Sequence, residues 1–190
     1  SLIDGRKMPK AENSSSVVNY LKEKEIRYDQ IALSAFENFP KNLMGIGQDV
    51  AVVYDVNGNR IAGNYVAQGC IPDVALLLKN LKTGTKPIRP DSNSNLYQAL
   101  IPGLLDLDGT QFALEVGKSK DYIVFIAWSN WEGKKTFNRN VRSCLTAMES
   151  NGESSFHVVL VNLDKQDVWG KEKLSRVLMT RTRVEILPQN

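Results

Sequence analysis

A chain of 190 residues with 42% hydrophobic and 24% charged residues has the composition of a folded protein, with apolar material for one full core or two small units sharing one. Its 24 basic and 21 acidic residues are interspersed and leave a formal charge of only +3, which excludes a cationic track for a phosphate backbone and, with it, nucleic acid as an expected partner. No apolar stretch reaches the ~20 residues of a membrane-spanning helix, and two cysteines with one histidine exclude a four-ligand structural zinc site.

Residues 1–16 end in Glu-Asn-Ser-Ser-Ser and read as a polar, mobile leader with a helix N-cap at its end. Val17, Val18 and Leu21 at helical spacing predict a short helix, closed by the charged run Lys22 to Glu25. Alternation over Ile26 to Leu33 predicts a strand. Pro40 interrupts Ala35 to Met44 and leaves that segment without a regular element. Asp49 to Val66 carries the clearest local signal, since Asn57-Gly58 supplies the backbone angles of a tight hairpin turn between two β-branched runs. Cys70-Ile71-Pro72-Asp73 then leads into a helix over Asp73 to Leu81 with Val74, Leu77, Leu78 and Leu81 as its apolar stripe.

Gly84, Pro87, Pro90 and the serines around them make 83–95 the best linker in the chain. Beyond it, Leu105-Asp106-Leu107-Asp108-Gly109 predicts a second hairpin, with Asp108-Gly109 at the turn. The apolar run Tyr122 to Trp128 predicts a strand that leads through Trp131 and Gly133 into a helix marked by Phe137, Val141, Leu145 and Met148. Phe156 to Leu163 is a near-continuous apolar run, the pattern of a strand buried on both faces. Strand, helix and strand in that order predict a βαβ unit. A helix over Lys171 to Leu178 and a strand over Arg183 to Leu187 complete the chain.

Phe125-x-x-Trp128-x-x-Trp131-Glu132-Gly133-Lys134-Lys135 resembles the catalytic strand and loop of the thioredoxin superfamily, above all its TlpA-like extracytoplasmic branch, where Phe-x-x-Trp-x-x-Trp precedes Cys-Gly-Pro-Cys. The Asp-x-Asp-Gly hairpin upstream is similar to one in the same branch. Carried over residue by residue, the two redox cysteines fall on Glu132 and Lys135, the glycine on Gly133 and the proline on Lys134. The position of the family's cis-proline falls on Asp49. Thiol-disulfide exchange needs an attacking thiolate and a resolving sulfur, and neither is present at this loop.

The resemblance implies a thioredoxin-like three-layer α/β sandwich, with a central mixed sheet and helices on both faces. The halves run in reversed order, as in a permuted or duplicated chain: 17–82 resembles the closing half of the fold and 96–190 the opening half, with one compact unit as the expectation. By analogy it also implies an extracytoplasmic, periplasmic or lipoprotein setting, with an anchor or leader upstream. Function is expected to be binding or scaffolding of a protein or peptide, without redox catalysis and without a cofactor, on a surface made by Trp128, Trp131, Glu132, Lys134 and Lys135. The alternative is a monothiol oxidoreductase or peroxidase-like enzyme using Cys70, whose Cys-x-Pro-Asp setting precedes a helix N-terminus that lowers a thiol pKa. Cys144 reads as a core residue on the helical stripe, and His157 as a strand histidine with no triad around it.

Overall fold

The structure, a computed structural model, describes residues 10–39, 51–61, 71–86, 95–131, 133–179 and 184–188. In chain order these hold strand β1 (Ala11–Glu12), helix α1 (Ser14–Glu23), strands β2 (Gln30–Ser34) and β3 (Ala51–Asp55), helices α2 (Ile71–Asn80) and α3 (Leu96–Ala99), and strands β4 (Leu104–Leu105) and β5 (Tyr122–Trp128). Helices α4 (Gly133–Phe137) and α5 (Ser143–Glu149) follow, joined through a π-helical segment at Asn138–Arg142. Strands β6 (Phe156–Asn162) and β7 (Lys165–Gln166), helix α6 (Gly170–Arg176), and strands β8 (Val177–Met179) and β9 (Val184–Ile186) complete the series.

Five strands form one mixed sheet in the order β3-β5-β6-β2-β4. The inner three are parallel, with β5 and β6 paired from Tyr122↔Phe156 to Trp128↔Asn162 and β2 added through Ile31↔Leu160. β3 and β4 close the two edges antiparallel. Every residue of β5 and β6 is buried, which is why both runs read as apolar without alternation. Their side chains nevertheless divide by period two. Tyr122, Val124, Ile126 and Trp128 join the core under one face, while Ile123, Phe125 and Ala127 join the core under the other.

The two faces are covered unequally. The first packs against α1 through Val17 and Leu21, α2 through Val74, Leu77 and Leu78, and the α4–α5 region through Phe137, Val141 and Cys144. The second is covered by Leu96 of the short α3 together with Leu100, Leu104, Phe112 and Leu163. The fold is thus an α/β arrangement with a mixed sheet, as the sequence predicts, but the long helices gather on one side. The edge strands lead into turns of one geometry. Gly58 N donates to Asp55 O and Gly109 N to Asp106 O, each at 3.0 Å, and the two glycines have φ of +82° and +87°, which glycine adopts without a Cβ penalty.

Several boundaries differ from expectation. The leader predicted through residue 16 ends earlier, because Glu12 is buried within β1 and Asn13, not a serine, caps α1 by accepting from Ser16 N at 2.8 Å. Local hydrophobic spacing does not reveal α3, which starts at an Asn95 cap. Val177–Met179 pairs with β9 and so ends α6 before the predicted Leu178. The first residues of 83–95 are tied down: Thr83 Oγ1 donates to Glu153 O at 2.8 Å, and Thr85 N to the Tyr122 hydroxyl at 3.1 Å. Residues 87–94, and the return strand of the first hairpin beyond Ile61, lie outside the described residues.

Strands from both sides of 83–95 alternate in this sheet, with β2 and β3 flanking the β5–β6 pair. Chains cut between Lys86 and Asn95 are therefore expected to give fragments 1–86 and 95–190 that lack cooperative thermal transitions alone and recover one on mixing. Circular dichroism melting checks this, and an independent cooperative melt of 95–190 contradicts it.

Candidate functional site

The parallel strands stay apolar up to their carboxyl ends, and the polar chemistry begins there. Trp128 pairs with Asn162 across the last register position, and Leu163 N donates to Trp128 O at 2.8 Å. Residues 128–131 and 162–166 therefore leave the sheet side by side. Crevices outside the carboxyl ends of parallel strands are where open α/β sheets hold ligands.

Asp164 organises this end. It is 2% exposed. Its Oδ2 accepts from Asn130 N and from Asn162 Nδ2, both at 2.8 Å, whereas Oδ1 receives only Trp131 N at 3.4 Å. Asn162 Oδ1 accepts in turn from Asp164 N at 3.1 Å and from Gln166 Nε2, which also donates to Asp164 O at 2.8 Å. β1 brings a second carboxylate, because its parallel pairing with β7 sets Glu12 opposite Gln166. Glu12 is 3% exposed, accepts from Ser16 Oγ at 2.5 Å and from Asn130 Nδ2 at 3.2 Å, and lies 3.5 Å from Lys10 Nζ.

Burial is the largest influence on Asp164 and pushes its carboxyl up to about 7; the Glu12 charge acts in the same direction, while the hydrogen bonds from Asn130, Asn162 and Trp131 oppose it. The Tyr20 phenol is raised mainly by burial and further by Asp164. Four buried polar atoms at this end have no hydrogen-bond partner among the described residues: Trp128 Nε1, Ser129 Oγ, Trp131 Nε1 and Gln166 Oε1. An amide flip does not rescue Gln166, since its nitrogen already faces two acceptors.

The residues expected to form the binding surface have separate fates. Trp128 is a core residue and is withdrawn from that surface: it is 2% exposed, stacks on Tyr20 at 5.3 Å and meets Phe137 edge-on at 5.6 Å. Its position in β5 points the indole into the helical face of the sheet, so packing decides its orientation. Trp131 is partly buried against the aromatic cluster of Phe36, Phe39 and Trp169. Lys134 and Lys135 are exposed on α4, whose first residue, Gly133, has φ of +85°. Glu132, Cys70 and Asp49 lie outside the described residues.

Cys144 is a free thiol with no exposure, and burial pushes it up to about 12, so it is inert as a nucleophile. His157 is buried far from the carboxyl ends, at the start of β6. Its Nε2 meets Gln30 Oε1 at 3.0 Å, its Nδ1 has no partner, and burial lowers its pKa. Glu12, Asn130, Asn162, Asp164 and Gln166 were not singled out from sequence. The visible signal for three of them is Asn162 closing a strand buried on both faces, with Asp164 and Gln166 just beyond it. Glu12 carries no such signal. Two surface grooves of about 480 and 530 Å³ border α5 and share Arg142 and Thr146, and neither includes the strand ends.

No group of three or more His, Cys, Asp or Glu among the described residues is placed to hold a metal ion, and none of the described helices is long and apolar enough to cross a membrane. No protein-family model, curated protein or solved structure matches the chain.

A raised folded-state pKa favours the neutral acid, so the stability associated with Asp164 is full below its unfolded value of about 4 and is lost as pH rises through about 7. Asp164→Asn removes that titration while keeping one acceptor oxygen. The melting temperature of the variant relative to the unsubstituted protein is expected to rise by several degrees from pH ~5 to pH ~8, since ~1 kcal/mol moves a domain of this size by ~2–4 °C. A pH-independent difference contradicts this assignment.

Proposed function

We propose that the chain is a thioredoxin-like domain in permuted order that has lost redox catalysis and works as a binding or scaffold module for a protein or peptide, in an extracytoplasmic setting. The order strand, helix, strand in β5–α4–α5–β6 supports the opening half implied by the Trp-bearing motif, and β3 followed by α2 supports the closing half. Their union in one sheet suits a permutation. One observation carries the functional reading: the carboxyl end of β5 and β6, where the enzymes that the Trp-bearing motif resembles keep their reactive thiols, holds a buried network of carboxylates and amides. The one described cysteine, Cys144, is sealed in the core.

The surface for a partner is the loop around Trp131 with the exposed Lys134 and Lys135 of α4. A partly buried tryptophan followed within four residues by two exposed lysines has the composition of an interface anchor with a charged neighbourhood in sequence. Neither a cofactor nor nucleic acid enters this reading. The monothiol alternative keeps one point in its favour, namely that Cys70 directly precedes the first residue of α2, Ile71.

Dithiothreitol-driven insulin reduction by the purified protein is expected to stay at the no-protein blank. Turnover that disappears in Cys70→Ser supports the monothiol enzyme instead, and turnover that persists in that variant overturns both readings. In a screen of immobilised peptides, Trp131→Ala is expected to weaken capture by more than ~1 kcal/mol, about fivefold, with a much smaller change in stability. Unchanged capture together with lost stability shows that Trp131 serves packing alone.

A further inference from the structure

The helical crossover between β5 and β6 is uneven in charge. From Gly133 to Met148 it carries Lys134, Lys135, Arg139 and Arg142 and no acidic residue, in a chain whose charges are otherwise interspersed. Arg142 closes the π-helical segment at Asn138–Arg142, whose wider turn interrupts the regular spacing of the helix. Between this crossover and α2 lies a groove of about 530 Å³. Its lining on the crossover runs from Asn138 to Ser150, roughly 18 Å along a helix axis, and Ala75, Leu76 and Lys79 of α2 form the opposite wall.

Both walls are fixed. Asn151 Nδ2 donates to Leu78 O and to Leu81 O, each at 2.8 Å, and so ties the end of α2 to the end of α5. At the other end of the groove, Arg142 Nε donates to Asn138 Oδ1 at 3.1 Å and Nη2 to Lys24 O at 2.6 Å. Both acceptors are neutral oxygens, so the guanidinium is held in place with its charge uncancelled and further donors to spare. Lys79 is exposed and pairs with no carboxylate among the described residues. The lining thus holds Lys79 and Arg142 and no acid. The neighbouring groove differs, because Glu25 and Glu149 there balance Arg27 and Arg142. Leu76 adds an apolar element: Val74, Leu77 and Leu78 turn into the core, while Leu76 is 42% exposed at the wall of the groove.

We propose that the groove between α2 and the crossover binds an acidic peptide segment in extended form, with carboxylates set on Lys79 and Arg142 and an apolar side chain laid on Leu76. Charge complementarity selects the sign of the guest, and the exposed Leu76 favours an apolar neighbour beside its carboxylates. A lining of roughly 18 Å matches about five or six extended residues, more than one small anion needs. Nucleic acid is disfavoured, since the lining offers no aromatic ring on which a base could stack. This surface is separate from the Trp131 loop and stands without the binding reading of that loop.

The probe is a fluorescein-labelled peptide of about six alternating glutamates and leucines, read by fluorescence anisotropy. Saturable binding below about 1 mM is expected. Lys79→Glu should weaken it at least about tenfold by turning an attraction into a repulsion, and Leu76→Gln at least about threefold. Trp131→Ala should leave it unchanged, and the same peptide with glutamine in place of glutamate should not compete. Absence of binding overturns the proposal, as does binding that either groove variant leaves unchanged. Loss confined to Trp131→Ala places the peptide on the Trp131 loop and overturns the groove while supporting the other surface. Equal competition by a single-stranded oligonucleotide of matched charge shows an unselective cationic patch and also overturns it. Both substituted side chains are exposed; if Lys79→Glu nonetheless melts early, Lys79→Gln replaces it, and an unchanged affinity in that variant overturns the groove in the same way.

Discussion

The seven-position parallel ladder between β5 and β6 sets the terms for the rest of the molecule. Parallel strands buried on both faces need cover on both sides and a crossover to join them. The α4–α5 segment supplies the crossover and part of one cover, and α1 and α2 complete that face. Because the ladder is apolar between His157 and Asn162, polar groups collect at its two ends. At the amino end they are modest: Asp29 accepts from Val158 N at 2.8 Å, and Gln30 fixes His157. At the carboxyl end they form the buried network around Asp164.

That network accounts for the shape of the loop that follows β5. Two consecutive amides, Asn130 and Trp131, aim at one carboxyl group, and the chain can turn away from β5 only in a conformation that keeps both N–H groups on it. Such satisfaction of a buried acid by backbone donors is specific in geometry and costly to disturb, since removing the acceptor strands its donors away from water. The orphaned polar atoms nearby, Ser129 Oγ and Gln166 Oε1 among them, show that the network is not closed. The site is thus held in backbone by these donors and incompletely satisfied in side chains.

Much of the architecture was legible in the sequence because it rests on short-range rules. Asn57-Gly58 and Asp108-Gly109 announced their turns, the unbroken apolar runs announced β5 and β6, and the 3.6-residue stripe of Val74, Leu77, Leu78 and Leu81 announced α2. The role of Trp128 was misjudged for a reason equally physical. A tryptophan at the end of a strand looks the same in sequence whether it faces solvent or the helices, and only the register with Asn162 and the arrival of Tyr20 decide. Glu12 was hidden more deeply. A glutamate in a polar segment reads as solvated until β1 is seen to pair with β7, a contact between residues far apart in the chain that no local pattern encodes.

The interleaving of the sheet also fixes the order in which the protein can be completed on a ribosome. β2 emerges early, yet its parallel partner is β6, with Ile31 opposite Leu160. At translation rates of roughly 5–20 residues per second, the interval between the two is on the order of ten seconds. Throughout it, Ile31 and Ala32 of the nascent chain have no ladder to join, while Leu33 meets only its antiparallel partner Leu105 of β4 before β6 arrives. β2 and β3 therefore stay without their central partners until β5 and β6 are made, and slow codons between residues 95 and 160 would lengthen that exposure rather than assist folding.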